Sequence, residues 1–154
     1  MITVTPAEPR PDRLVEDYFQ GRTKAWGIFE DRFGRVRRKI SIDLVGRMEK
    51  DALIIDEDFH YQDGETEQRT WEIRQVGDGR YEGRSPEVDG IAVGRAEGNT
   101  VHWRYTFNLL IGKRRWRVGF REWMSFGPQG VIHRARLSKW GIDLGTVTLV
   151  YEKA

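Results

Sequence analysis

Cysteine is absent from the 154-residue sequence, which excludes disulfides, thiolate nucleophiles and cysteine-based zinc sites. Histidine is scarce, and His60, His102 and His133 share no ligand spacing. No apolar run approaches the ~20 residues of a membrane-spanning helix. Proline is sparse, with Pro6, Pro9 and Pro11 gathered in the opening segment Met1 to Arg13. That segment lacks the apolar stretch of a signal peptide, so the expectation is a flexible segment over 1–13 and a cytoplasmic chain. Neither sign of charge dominates: the net charge is only +2.

What is present is a charge-rich globular composition, 38% apolar and 32% charged, with six tryptophans, five tyrosines and seven phenylalanines. A chain of this length can bury a core as one domain, here placed over 14–154. Arginine supplies most of the basic residues, in two runs, Arg35-Val36-Arg37-Arg38-Lys39 and Lys113-Arg114-Arg115-Trp116-Arg117. Acids cluster between Asp56 and Glu67. Charge is segregated along the chain, which permits a polarised surface.

One short helix is expected near the start. Pro11 and Asp12 suit a first turn, Leu14, Val15, Tyr18 and Phe19 form a stripe, and Gly21 can end it. Beyond it the pattern has period two, punctuated by glycine or Asp-Gly. Strands are expected near 22–30, 35–48, 51–62, 66–76, 79–84, 90–97, 100–110, 114–126, 130–138 and 145–152. Ile40, Ile42 and Leu44 share one face, as do Val101, Trp103, Tyr105, Phe107 and Leu109. Trp116, Val118, Phe120, Met124 and Phe126 line another. About ten one-sided strands with short turns fit an all-β, antiparallel up-and-down barrel, with a two-sheet sandwich as the alternative.

Some polar residues fall in phase with the apolar ones. Glu57 shares a face with Leu53, Ile55, Phe59 and Tyr61, and Arg69 with Trp71 and Ile73. Gln62-Asp63-Gly64 reads as a three-residue turn with glycine left-handed. That register pairs Tyr61 with Glu65, sets Ile55 against Trp71, and places Glu57 opposite Arg69, predicting an inward ion pair. Glu122 lies in phase with Phe120, and His133 with Val131 and Leu137. Four inward polar groups can be a structural network, because buried charge demands pairing. They can also orient the polar end of a ligand whose body lies against aromatics, or move a proton.

Other motifs carry little. Asp56, Asp58 and His60 alternate along a strand and span ~13 Å, too far for one ion, so no metal and no cofactor is expected. Gly77-Asp78-Gly79 reads as a hairpin turn and not a phosphate loop. Arg104, Arg115, Arg117 and Arg121 face outward beside His102 and Trp123, a face open to peripheral contact with anionic lipid. With a net charge this small, no nucleic-acid partner is expected.

Trp26-Gly27-Ile28-Phe29, Asp31-Arg32-Phe33-Gly34, Asp56-Glu57-Asp58-Phe59 with Tyr61 and Asp63-Gly64, Arg69 with Trp71, Tyr81 with Gly83, Trp103 with Tyr105, Trp123-Met124 and Ser138-Lys139-Trp140-Gly141 recur together in one known pattern. In these stretches, over about Leu14 to Glu152, the chain resembles the bacterial family of domain of unknown function 3833. The resemblance implies a lipocalin- or calycin-like barrel and supplies no catalytic residues. Members often carry a lipoprotein signal and a lipidated cysteine, which this chain lacks. His133 stands where the family's asparagine is expected. Family genes tend to lie beside fatty-acid-modifying enzymes, which favours a lipid ligand.

The leading expectation is a carrier for a small hydrophobic or amphipathic, fatty-acid-like molecule. Its site would be Glu57, Arg69, Trp71, Trp103, Tyr105, Trp116, Phe120, Glu122 and His133. Arg69 would meet an anionic head, with Glu57 holding it. The alternatives are an isomerase, hydratase or cyclase acting on a hydrophobic substrate, and an interaction module using the arginine face.

Overall fold

The computed structural model describes residues 10, 12–111 and 113–154. The flexible segment expected over 1–13 therefore lies largely outside the described residues, as does Pro11. One helix, α1 (Leu14–Tyr18), precedes ten strands: β1 (Gly21–Asp31), β2 (Val36–Glu49), β3 (Ala52–Tyr61), β4 (Thr66–Gly77), β5 (Arg80–Arg84), β6 (Val88–Glu97), β7 (Thr100–Ile111), β8 (Arg114–Gly127), β9 (Gly130–Lys139) and β10 (Ile142–Lys153). Each strand pairs antiparallel with its sequence neighbours, and β1 pairs with β10 to close the barrel. Closure removes both free edges. The sandwich alternative is excluded.

Alternation decides which side of each strand is dry. On β2, Ile40, Ile42 and Leu44 are buried while Lys39, Ser41 and Asp43 are exposed. The same rule buries Val101, Trp103 and Phe107 on β7 and Val118, Phe120 and Met124 on β8. Charges outside and apolar residues inside reverse the arrangement of a membrane-spanning barrel. Among the described residues, no helix is long and apolar enough to cross a membrane.

The β3–β4 hairpin has the register expected from its turn. Tyr61 N–H donates to the Glu65 carbonyl at 3.0 Å, Gly64 has φ +90°, and Ile55 faces Trp71 while Glu57 faces Arg69. The short helix expected near the start is present, five residues long, and Gly21 at φ +88° leads the chain into β1. One strand departs from expectation. Strand β10 begins at Ile142, three residues early, and absorbs the extra length in a bulge between Asp143 and Gly145.

The two ends of the barrel differ. The helix closes one end: Leu14, Val15, Tyr18 and Phe19 are buried, and the Phe19 ring meets Tyr151 and Phe126 edge-on at 5.6 and 6.2 Å. Gly46 permits this, since a Cβ there would lie 1.8 Å from the Phe19 carbonyl oxygen. Tyr81 anchors the plug by donating its hydroxyl to buried Glu16 at 2.6 Å. At the far end, the hairpins β1–β2, β3–β4, β5–β6, β7–β8 and β9–β10 form a rim.

Candidate functional site

The interior between plug and rim encloses a cavity of about 610 Å³. Its walls are apolar over most of their extent, with Ile42, Leu44, Ile55, Ala135, Leu137 and Leu149 among the lining residues. That volume falls in the ordinary range of small-molecule sites. The barrel is hollow.

Glu57, Arg69, Trp71, Trp103, Tyr105, Phe120, Glu122 and His133 all line this cavity. Trp116 does not, which corrects its expected place in the chamber. It has the inward parity of β8 but lies at the rim end, half-buried, with its ring 5.3 Å from Lys139 Nζ. Period two assigns a face and is silent on depth.

Arg69 bonds a different acid from the one expected. It faces Glu57 in the ladder, but its Nε and Nη2 both lie 3.0 Å from Glu67 Oε1. The reason is aromatic. The guanidinium sits 4.4 Å from the centroids of both Phe59 and Phe107, and Phe59 is the cross-strand neighbour of Glu67. Leaning towards Phe59 carries the charge one pair rimward of Glu57. A cation held between two ring faces in a dry interior gains from both. Glu67 and Tyr61, whose hydroxyl donates to Glu67 at 2.7 Å, complete the group. Glu67 was legible in sequence, because it shares the parity of Arg69 and Trp71.

Glu57 is left without that direct partner and remains buried. Burial pushes its carboxyl up to about 7, resisted by the charge of Arg69 and reinforced by that of Glu122. Near neutral pH it is thus poised between acid and carboxylate.

Glu122 is better satisfied. The Tyr105 hydroxyl donates to Oε1, and His133 Nε2 lies 3.2 Å from Oε2. Burial alone would raise its carboxyl. The attraction of a charged His133, its hydrogen bond and that of Tyr105 together hold Glu122 below its ordinary value. Tyr105 also stacks on Phe120 at 5.0 Å and meets Trp71 edge-on at 5.4 Å, which fixes its hydroxyl.

His133 Nδ1 is buried with no hydrogen-bond partner. With Nε2 turned to Glu122, Nδ1 accepts in the neutral ring and donates in the charged one. Leaving such an atom unpaired costs about 1–3 kcal/mol.

Among the described residues, no three His, Asp or Glu side chains are grouped to hold a metal ion. The outward arginines are exposed and form a ladder, with Arg104 directly opposite Arg121 and Arg121 opposite Arg136.

The sequence profile described as "Protein of unknown function (DUF3833)" matches residues 5–153. No curated protein matches the chain at a significant level. Among solved structures, it is similar to the S-type phycobiliprotein lyase CPES from Guillardia theta: TM-score 0.67, 9% identity, covering 91% of this chain and 92% of that one. It is also similar to Rv2717c from M. tuberculosis, with TM-score 0.65 and 13% identity over 88% of this chain and 92% of that one. At these identities the likeness concerns the fold alone, a lipocalin-like barrel.

Proposed function

This chain belongs to the DUF3833 family, whose function is unknown, and on that premise we propose from the site itself that it carries one small amphipathic molecule of fatty-acid type in its barrel. The observation that carries the reading is a 610 Å³ apolar cavity with charge at mid-depth. A hydrocarbon body lies against Trp71, Trp103, Tyr105 and Phe120. An anionic head meets the charge of Arg69 and the protonated form of Glu57. A purely hydrocarbon ligand would bring no hydrogen-bonding partner to buried Glu57, which disfavours it. The barrel's likeness to that of a phycobiliprotein lyase supports ligand binding.

Titration with a fluorescent fatty-acid analogue tests this. Wild type is expected to bind saturably. Ala135→Trp, which fills the cavity from its wall, abolishes binding, and Arg69→Ala weakens it about tenfold or more, as expected for a charge-assisted contact. Circular dichroism should report a retained barrel in both. Equal binding by wild type and both folded variants would defeat the carrier reading.

The poised carboxyl of Glu57 favours one second reading, acid–base catalysis on a hydrophobic substrate in the same cavity. General acids and bases work best with pKa near the working pH. A carrier releases its ligand unchanged. An isomerase, hydratase or cyclase alters its double-bond pattern, its mass or its ring count.

A further inference from the structure

The rim of the open end is not uniform. Around the barrel, the hairpins β1–β2, β9–β10 and β7–β8 follow one another. Their segments 30–37, 110–117 and 139–143 carry Arg32, Arg35, Arg37, Lys113, Arg114, Arg115, Arg117 and Lys139, against the acids Glu30, Asp31 and Asp143. Asp31 is already bonded to Arg37 at 2.6 Å, and Asp89 of β6 takes Arg117. The remaining two rim hairpins hold Asp63, Glu65, Glu87 and Asp89 with Arg84, and Arg38 of β2 pairs with both Asp63 and Glu65. The excess of positive charge therefore lies on one side of the mouth.

Each basic hairpin also displays an apolar side chain to solvent: Phe33 at 74% exposure, Leu110 at 58% and Trp140 at 82%. Cations stand over both rings, Arg32 at 4.8 Å from Phe33 and Lys139 at 4.5 Å from Trp140. Exposed rings with neighbouring cations, gathered on one side of one end, are the composition of a surface that meets the headgroup layer of a bilayer.

Trp140 adds an independent observation. Ile142 pairs with Lys139, so Trp140-Gly141 is a two-residue turn, and its φ angles are +54° and +75°. Both positive angles define a type I′ turn, where asparagine or glycine is preferred at the first position. A bulky aromatic there is strained, and a ring this exposed, with the Lys139 ammonium against it, gains little from packing to repay the strain. A strained residue with no structural return points to function.

We propose that the barrel docks mouth-first on an anionic lipid bilayer through the β1–β2, β7–β8 and β9–β10 hairpins, with Trp140 and Phe33 entering the interface. The opposite side of the rim, where acids and arginines balance, tilts away from the surface. Docking rests on the rim alone. Its consequence, that a ligand passes between bilayer and cavity without crossing bulk water, rests on the carrier reading above.

The test uses ligand-free protein and vesicles of phosphatidylcholine with or without phosphatidylglycerol. Binding is expected only to the anionic vesicles, and lost at high salt, since surface attraction is screened within ~10 Å at ordinary ionic strength. Brominated acyl chains should quench fluorescence more strongly in wild type than in Trp140→Phe. Reversing Arg114 and Arg115 to glutamate should weaken binding by more than about tenfold, while Arg121→Glu on the outer ladder changes it little. Trp140→Asn should raise the melting temperature while weakening vesicle binding, which separates docking from misfolding. No binding to anionic vesicles, or binding with Trp140 still open to aqueous quenchers, would overturn the proposal. Vesicle binding is scored without a cavity ligand, so a failed carrier test leaves this result standing.

Discussion

Glu57 is a carboxyl whose ionisation the barrel strongly disturbs, and its effect on stability has a definite sign. Its carboxyl moves from 4.5 to about 7 on folding, so between those values the folded chain holds a proton that the unfolded chain has released. Stability from this group is full below pH 4.5 and is lost as pH rises through about 7. The displacement amounts to on the order of 3 kcal/mol. Glu57→Gln should therefore flatten the pH dependence of urea midpoints across this window and raise stability at pH 8. Unchanged midpoints would mean that Glu57 is solvated or paired. Glu122 acts in the opposite direction, since its lowered carboxyl contributes stability that is lost as pH falls through its folded value. Parity along a strand made Glu57, Arg69, Glu122 and His133 legible from sequence. It did not reveal which acid Arg69 would bond, because Phe59 and Phe107 set that choice and they come from different strands.

The hairpin is the element read best from sequence, and the end plug the one read least. Gln62-Asp63-Gly64 and the matched faces of β3 and β4 leave one sensible register, and the ladder has it. The closing pair β1–β10 joins residues more than a hundred positions apart, and no local signal specifies such a pairing. The role of α1 as a plug was equally hidden, because its apolar stripe said only that it is buried. Its dependence on Gly46 yields a prediction. Gly46→Ala sets a methyl against the Phe19 carbonyl oxygen, 1.8 Å from the ideal Cβ, so either α1 or β2 must move. The expected result is destabilisation by about 1–3 kcal/mol, within the range of overpacked sites. Faster amide exchange should appear in α1 and spare β7 and β8. Exchange unchanged throughout would show that the plug has slack.

For the whole molecule, the organising feature is polarity between its ends. One end is sealed by aromatic packing around Phe19, and the other opens among charged hairpins. The closed ladder supplies a rigid wall that holds apart side chains which would otherwise collapse onto one another. It can thereby keep a cavity open without a ligand to prop it. The sequence showed one-sided strands and rim charge, but not that the barrel is hollow. That depends on how far ten walls stand apart, and on side chains such as Ala135 being small where larger ones would fill the space.

The central claim is that the cavity is occupied by a small molecule, and native mass spectrometry tests it most directly. The protein would be purified from a lipid-containing lysate, and its native mass compared with its denatured mass. The carrier account predicts excess mass that disappears on denaturation and is identified as one amphipathic molecule. A bare mass, unchanged after incubation with a mixture of fatty acids, would contradict it.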